Sequence, residues 1–216
     1  MRTIVFDTET TGLPKFSRSP AKFMRDNWPH IVSLSWMILE NDIVVETHSY
    51  IVKPINWVIP DEAIAIHGIT NQIAMTQGVE LEHVIDKFMY EHYDLMLAHN
   101  LEFDENVIVN AIYWDLNRKN FLEFPHPKRC TMRLSRDICK LPTLYNGFKS
   151  PKLSELYRFV FGKNPEMDKL HGSLYDVEIL VRIIQNSPEL RDKLGLTQRT
   201  ILKNNVRTTK PNVLSL

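Results

Sequence analysis

Two acidic residues follow an apolar segment near the beginning of the chain. Residues 3–6 form a short segment of β-branched or apolar side chains, which is typical of a buried strand. Side chains two positions apart on a strand share a face, so Asp7 and Glu9 direct two carboxylates at one place. Such a pair is unfavourable unless a cation neutralises it, and oxygen ligands favour Mg²⁺ or Mn²⁺. Taken alone, this short pattern fits two surface acids equally well.

Two more acidic positions lie where helices are predicted to begin. Asp104 follows the strand-like segment Leu95–Ala98 and falls in the first turn of a helix, a transition where ligands gather in α/β sheets. Asp176 falls one turn into the last amphipathic helix, and His171, which precedes it, can move a proton near neutral pH. Taken singly, each acid is better explained as a cap or dipole partner of its helix.

The elements that must position these residues form an α/β pattern. Segments 31–39 and 43–52 predict a hairpin around Asn41 and Asp42. Early strands followed by alternating helices and strands predict one domain with a mixed sheet. The remaining predictions are helices at 61–67, 79–93, 102–116, from 153 to Gly162 and 173–185, strands at 95–98 and 129–132, and loops at 13–30 and 142–151.

Charge is distributed unevenly over the 216 residues, although 26 basic and 26 acidic residues balance. Residues 1–117 carry 7 lysines and arginines against 17 acids, whereas residues 118–163 carry 11 against 3 and residues 196–216 carry 4 against none. An acidic cation site beside a basic segment fits a polyanionic substrate. Four basic residues could guide a nucleic-acid strand: Arg129, Arg133, Arg136 and Lys140. Two aromatic residues that follow them could stack on its bases: Tyr145 and Phe148. For any one of them, an ordinary solvated or core position is an equal alternative.

The compartment is predicted from what the sequence lacks. Cys130 and Cys139 have no metal-ligand spacing, and a disulfide framework is not expected. No segment has the pattern of a signal peptide or the length of a transmembrane helix. We therefore expect an intracellular, soluble protein without a membrane partner.

Three local sequences, in this order, resemble those of the DEDDh family of 3′–5′ exonucleases, the proofreading type. They are Phe-Asp-x-Glu-Thr-Thr-Gly at 6–12, His-Asn-x-x-Phe-Asp at 99–104 and His-x-x-x-x-Asp at 171–176. The sequence His-Gly-Ile-Thr at 67–70 also resembles a recurrent family element. One departure is Gly172-Ser173, where the family pattern after the histidine includes alanine. This departure concerns local packing more than chemistry.

The resemblance implies a ribonuclease-H-like fold with a central mixed β-sheet flanked by helices. It implies two Mg²⁺ or Mn²⁺ ions held by four carboxylates and a histidine that acts as general base. The implied ligands are Asp7, Glu9, Asp104 and Asp176, the implied base is His171, and the implied substrate contacts are Thr10, Thr11, Gly12, Leu13, His67, Asn100 and Phe103. By the same comparison, residues 1–190 form the exonuclease domain and residues 191–216 form a basic tail.

The predicted function is hydrolysis of single-stranded DNA from its 3′ end to 5′-mononucleotides, as in proofreading or repair. An exoribonuclease of the same family is the alternative, because nothing in the sequence reads the 2′-hydroxyl. A nucleic-acid-binding or polymerase-docking subunit with an inactive site is the non-enzymatic alternative, and a DNA polymerase stays open as a partner. No phosphate-binding loop, His-Glu-x-x-His motif or serine elbow is present.

Overall fold

A five-stranded mixed sheet forms the centre of the computed structural model, which describes residues 1–17, 19–144 and 146–196. The spatial order of the strands is β3-β2-β1-β4-β5. The strand β1 is antiparallel to β2 and parallel to β4, which confirms the predicted mixed sheet. The strands are β1 Arg2–Thr10, β2 Ile31–Glu40, β3 Ile43–Ile51, β4 Leu95–Ala98 and β5 Lys128–Cys130.

Helices cover both faces of this sheet. They are α1 Asp61–His67, α2 Asn71–Gln77, α3 Leu81–Met89, α4 Leu101–Asn110, α5 Thr131–Cys139, α6 Leu153–Phe161, α7 Ser173–Asn186 and α8 Pro188–Leu194. On β1, Phe6 is buried against the face that α3 and α4 cover, whereas Val5 is buried against the face of α5 to α8. Because side chains alternate along a strand, Asp7 and Glu9 share the face of Val5 and point toward α7.

The β2–β3 hairpin has the predicted two-residue turn. Asn41 and Asp42 have φ values of 48° and 73°, the left-handed conformation that a tight hairpin requires and that asparagine and aspartate tolerate. Asp42 also connects the hairpin to the last two helices. Its carboxylate accepts a hydrogen bond from Arg191 at 2.6 Å, and its carbonyl accepts one from Gln185 at 2.8 Å.

Several helices differ from the prediction. The helix predicted over 79–93 is only α3, because Val79 pairs with Val52 in an isolated β-bridge before the helix begins. The helix predicted over 102–116 changes to a π-helical turn at Ala111–Asp115. The strand predicted over 129–132 ends at Cys130, because α5 begins at Thr131. The helices α2, α5 and α8 are additional to the prediction.

The predicted boundary at residue 190 lies within α8, whose Leu190 and Leu194 are buried in the core beside α7. Most of the predicted basic tail, residues 197–216, lies outside the described residues, as does Tyr145. Cys130 and Cys139 are free thiols. In the part of the chain that the structure describes, no helix is both long and apolar enough to span a bilayer.

Candidate active site

The four predicted carboxylates meet where β1, α4 and α7 come together, and we call Asp7, Glu9, Asp104 and Asp176 the acidic cluster. One carboxylate oxygen from each of Asp7, Glu9 and Asp176 lies within 4.8 Å of the others. Asp104 approaches from α4 and accepts hydrogen bonds from the N–H of Thr8 at 3.0 Å and from its hydroxyl at 2.7 Å. Asp104, which is 96 positions from Thr8 in the sequence, is therefore held beside β1.

A β-bulge lies at the end of β1, next to the acidic cluster. Glu9 pairs with Ser33, but Thr10 pairs with Ile31, so the register shifts by one residue and the extra residue is Val32 on β2. A bulge bends its strand and changes the direction of the chain that follows. Asp7 and Glu9 therefore lie in the regularly paired part of β1, next to the point where β2 is irregular.

Burial and mutual repulsion destabilise the charged forms of the acidic cluster. Burial, followed by repulsion from the other three acids, holds the pKa of Asp7 well above its ordinary value. Burial, followed by repulsion from Asp176 and Asp104, raises the pKa of Glu9 to about 9. Burial raises the pKa of Asp104 and that of Asp176 to about 7, although hydrogen bonds from Thr8 and from the backbone N–H of His171 oppose the two shifts. Among the described residues, no cationic side chain therefore stabilises the charged forms of the four carboxylates.

The acidic cluster has the donors that a hard divalent cation needs. The Oδ1 atom of Asp176 is buried and has no hydrogen-bond partner among the described residues. Converging carboxylate oxygens without thiolate or imidazole donors suit Mg²⁺ or Mn²⁺. A cation here would pair with the orphan oxygen and relieve the repulsion between the acids.

Two histidines lie at the edge of the acidic cluster. His171 is exposed, has a φ of 63° and stands just before α7. His67, at the end of α1, accepts the N–H of Ile69 on Nδ1 at 3.1 Å. Desolvation lowers the pKa of His67, the nearby Thr10 carbonyl raises it, and His171 lowers it further. His171 is therefore next to Asp176, and His67 lies near His171 and near Thr10, the residue after Glu9.

Hydrogen bonds shape the loop that follows β1. The hydroxyl of Thr10 donates to the Gly12 carbonyl at 2.7 Å, and Thr11 exchanges two 3.0 Å hydrogen bonds with His30. Gly12 has a φ of 148°, which favours glycine. Leu13 follows with 83% of its surface exposed. An apolar side chain held out by an ordered loop is available to contact a substrate.

A cavity of about 560 Å³ brings together three of the predicted substrate contacts, Leu13, Asn100 and Phe103. Asn100 precedes α4 in the left-handed conformation, with a φ of 78°. Phe103 packs against Trp28, with 5.9 Å between the ring centroids. We call this space the substrate cavity, because it adjoins the helix that carries Asp104.

The predicted basic segment is only partly free to meet a substrate. Arg133 lines the substrate cavity but forms an ion pair with Glu102. Arg136 has a neighbouring acid at 3.4 Å, and Lys140 ends α5 in the left-handed conformation. Arg129 and Phe148 are exposed. A strand of nucleic acid would meet these side chains on and beside α5.

His99 has a structural role that the sequence did not indicate. Its Nε2 donates to the Pro151 carbonyl at 3.0 Å, and its Nδ1 accepts from the Thr131 hydroxyl at 3.1 Å. Burial lowers its pKa to about 4, so the ring is neutral near pH 7. It therefore connects the end of β4 to the beginning of α5 and to the segment before α6. The sequence signal for this role was the position of His99 at the beginning of the His-Asn-x-x-Phe-Asp motif.

Four serine hydroxyls behind the acids explain the departure at Gly172-Ser173. The buried Ser173 hydroxyl lies 2.9 Å from that of Ser33 and 2.7 Å from that of Ser35. Ser35 in turn donates to Ser49 at 2.9 Å. Ser33 and Ser35 pair across the sheet with Glu9 and Asp7. The beginning of α7 is therefore attached to β2. The sequence signal for this contact was the pair of serines at alternate positions of an otherwise apolar strand.

The comparisons with known proteins agree with this geometry. An exonuclease family model, RNase_T, matches residues 4–184. No curated protein sequence matches the chain. A structure of Exonuclease X in complex with 5′ overhanging duplex DNA is similar at 25% identity and a TM-score of 0.59, with 90% of this chain and 94% of that chain covered.

Two structures of exonuclease I have the same fold at lower identity. The E. coli enzyme with a dT13 oligonucleotide has 19% identity and a TM-score of 0.67, with 90% of this chain and 43% of that chain covered. The enzyme from Methylocaldum szegediense has 18% identity and a TM-score of 0.64, with 90% and 43% covered. The chain thus spans less than half of exonuclease I.

The family model covers most of the chain, and exonucleases of this family depend on metal. The mixed sheet and its flanking helices match those of the ribonuclease-H-like exonucleases. The chain therefore belongs to the RNase_T exonuclease family and is a 3′–5′ exonuclease of the DEDDh type.

Proposed function

We propose that this enzyme hydrolyses DNA from a free, single-stranded 3′ end and releases 5′-mononucleotides. The observation that carries the proposal is the convergence of Asp7, Glu9 and Asp176 within 4.8 Å, with an orphan oxygen on Asp176. In this proposal the four carboxylates hold two Mg²⁺ or Mn²⁺ ions. Bound cations of this kind activate water and stabilise charge on the phosphate and the leaving oxygen.

His171 is the proposed general base. It is exposed to solvent beside the acidic cluster, and its backbone N–H donates a hydrogen bond to Asp176. A histidine in this place can take a proton from the attacking water and release it to solvent. Because its side chain stands outside the group of converging carboxylates, His171 is assigned to proton transfer and not to metal binding.

The loop after β1 is the proposed holder of the terminal nucleotide. Thr10 and Thr11 fix its backbone, and the exposed Leu13 lies against the substrate cavity that Asn100 and Phe103 also line. An apolar side chain and an aromatic ring can hold a base without reading its sequence. We place His67 at the rim of the site, next to the Thr10 carbonyl.

DNA is the proposed substrate because the similar structures of Exonuclease X and exonuclease I are named as complexes with DNA. Repair or replication is the proposed setting, inside the cell, with a DNA polymerase as a partner to be sought by copurification. We propose that the catalytic domain extends to at least Leu196, because Leu190, Leu194 and Leu196 are buried in its core.

The test compares single-stranded DNA and RNA of one sequence, each labelled at its 5′ end, with Mg²⁺ and with EDTA. We expect a ladder that shortens from the 3′ end of DNA, and no product in EDTA. A circular single strand is the control, because it has no end to enter the site. Cutting of the circle would show that the enzyme is an endonuclease. Faster digestion of RNA than of DNA would show that RNA is the preferred substrate.

A further inference from the structure

A second cavity lies on the other side of the loop that walls the substrate cavity. It has a volume of about 350 Å³, and its walls come from residues 11–15 and 25–30 and from the end of α4 with the turn that follows. Leu13 and Trp28 line both cavities, so these two side chains separate them. The volume is in the range of sites for small organic molecules.

Asn110 carries a buried amide in the wall of this second cavity. Only 3% of its surface is exposed, and its Oδ1 has no hydrogen-bond partner among the described residues. An unpaired buried acceptor destabilises a fold, and such groups in native proteins call for a functional explanation. Asn110 is followed directly by the π-helical turn Ala111–Asp115, and such turns occur frequently at functional sites.

The mouth of the cavity offers cations. Lys15 and Arg25 are exposed, and the nearest acid to Arg25 is Asp26 at 3.9 Å, too far for a strong ion pair. The other acid of the wall, Asp115, is already paired with His30 at 3.0 Å. The two cations are therefore available to a phosphate at the entrance.

The chemistry of this wall matches a nucleotide. A carboxamide presents a donor and an acceptor side by side, as required to pair with the edge of a base such as adenine. Arginine and lysine bind phosphate. A base placed against Asn110 would leave its phosphate at the mouth, near Lys15 and Arg25.

We propose that this second cavity binds an unpaired nucleotide of the strand opposite the one that is cut. The inference rests on the proposed function, because it takes the substrate cavity to hold the cut 3′ end. When Leu13 stands between the two strands of a duplex end, the 3′ terminus lies on one side and its former partner on the other. Phe16 and Phe23, exposed on the same loop, add apolar surface against which an opened base pair can rest.

The experiment measures binding in the inactive Asp7→Asn background, so that digestion does not interfere. The probes are a duplex with a 5′ extension, carrying 2-aminopurine at the first unpaired position, and a plain single strand of equal length. We expect quenching of 2-aminopurine on binding. Adding Asn110→Leu should lessen the quenching and weaken duplex binding about tenfold, while single-strand affinity is unchanged.

Two controls accompany this variant. Arg25→Ala should weaken duplex binding, whereas Lys87→Ala, which removes an exposed lysine from α3, should not. The melting temperature of Asn110→Leu should not fall, because the amide that it replaces has an unpaired acceptor. A lower melting temperature with equal losses on both probes would show that Asn110 only supports the fold, and would overturn the proposal.

The remaining outcomes separate this inference from the proposed function. Equal binding of both probes by Asn110→Leu and its parent would overturn the second site. So would quenching of a free 2-aminopurine mononucleotide that depends on Asn110, if the labelled duplex showed none, because the cavity would then bind free nucleotides. An unmodified enzyme that digests no DNA would overturn the proposed function, while a selective loss of duplex binding would still support the cavity.

Discussion

The acidic cluster and the loop between β1 and β2 satisfy their polar groups in opposite ways. In the loop, Asn27 exchanges hydrogen bonds with the backbone of Phe16, and Trp28 donates to the Ser19 carbonyl. In the cluster, carboxylates converge, their pKa values rise, and Asp176 keeps an orphan oxygen. Among the described loop residues, these side chains are paired with the loop's own backbone, whereas the carboxylates of the cluster repel one another and would be stabilised by a cation. Substitutions in the two regions should therefore have different kinds of effect.

The largest effect is expected in the cluster. Asp7→Asn should lower kcat by about a thousandfold, because metal-assisted stabilisation is worth several kcal/mol and each 1.4 kcal/mol is about tenfold. The metal-free variant should melt at a higher temperature than its parent, since the folded state no longer contains a buried acid whose pKa is raised by burial and by the other acids. Nucleotide release and thermal melting in EDTA measure the two effects.

The control is Glu123→Gln, an exposed acid outside the helices and strands, which should change neither quantity. Retention of most activity by Asp7→Asn would remove Asp7 from the site.

The next effect concerns the proposed base. His171→Gln should lower kcat by about a hundredfold or more, as expected for loss of general-base catalysis. Affinity for Mg²⁺ and for an oligonucleotide, measured by calorimetry, should stay the same, since the carboxylates remain. His92→Gln is the matched control, because His92 is also exposed. A variant that loses thermal stability and binding together would show that His171 holds the beginning of α7 instead.

On the loop side, the effect should be on binding and not on chemistry. Leu13→Ala should weaken oligonucleotide affinity about tenfold, because contact with a base is worth about 1–3 kcal/mol. The metal-free melting temperature should not change, since the side chain is exposed. Leu122→Ala removes another exposed leucine and serves as the control. Fluorescence anisotropy in Ca²⁺ measures affinity, and an unchanged value for Leu13→Ala would exclude Leu13 from the substrate contact.

The pH dependence of stability sharpens the contrast without any substitution. The folded protein holds protons on Asp104 and Asp176 up to about pH 7 and on Glu9 up to about pH 9, whereas the unfolded chain releases them near pH 4. The folded state thus binds more protons, and stability should fall as pH rises from 5 to 9. Melting in EDTA tests this, and Mg²⁺ should flatten the curve. Rising stability over this range would contradict the assigned pKa directions.

The last effect concerns stability and not activity, and it is expected behind the acids. Ser173→Ala leaves the buried Ser33 hydroxyl without this partner and should lower stability by about 1–3 kcal/mol. Denaturant unfolding of Ser173→Ala, Ser33→Ala and the double variant measures the coupling. Strictly additive losses would show that the two hydroxyls do not interact.

The sequence predicted those parts of the molecule that depend on local patterns. The spacing of Asp7 and Glu9 on a strand, the position of Asp104 in a first helical turn and the Asn41-Asp42 turn are each set by a few neighbouring residues. The structure has all three. Asp176 also lies in the first turn of the last predicted helix. Local patterns therefore sufficed to place all four acids on their elements and to identify the hairpin.

Features that depend on distant contacts were not predicted. The bond between Ser173 and Ser33 joins residues 140 positions apart, and helical periodicity does not show it. The helix α5 was not recognised, because the β-branched Thr131 was assigned with Met132 to the preceding strand. The unpaired amide of Asn110 is visible only when the loop and the helix are seen together.

The link between the hairpin turn and the last helices has a consequence for biosynthesis. Arg191 and Gln185 contact Asp42, and α7 packs against β1 and β2. A nascent chain thus exposes its first strands long before the helix that covers them leaves the ribosome. Asp176 joins Asp7 and Glu9 only when α7 has docked, so an unfinished chain lacks a complete acidic cluster. We therefore expect a nascent chain that has not yet added α7 to be inactive toward nucleic acids.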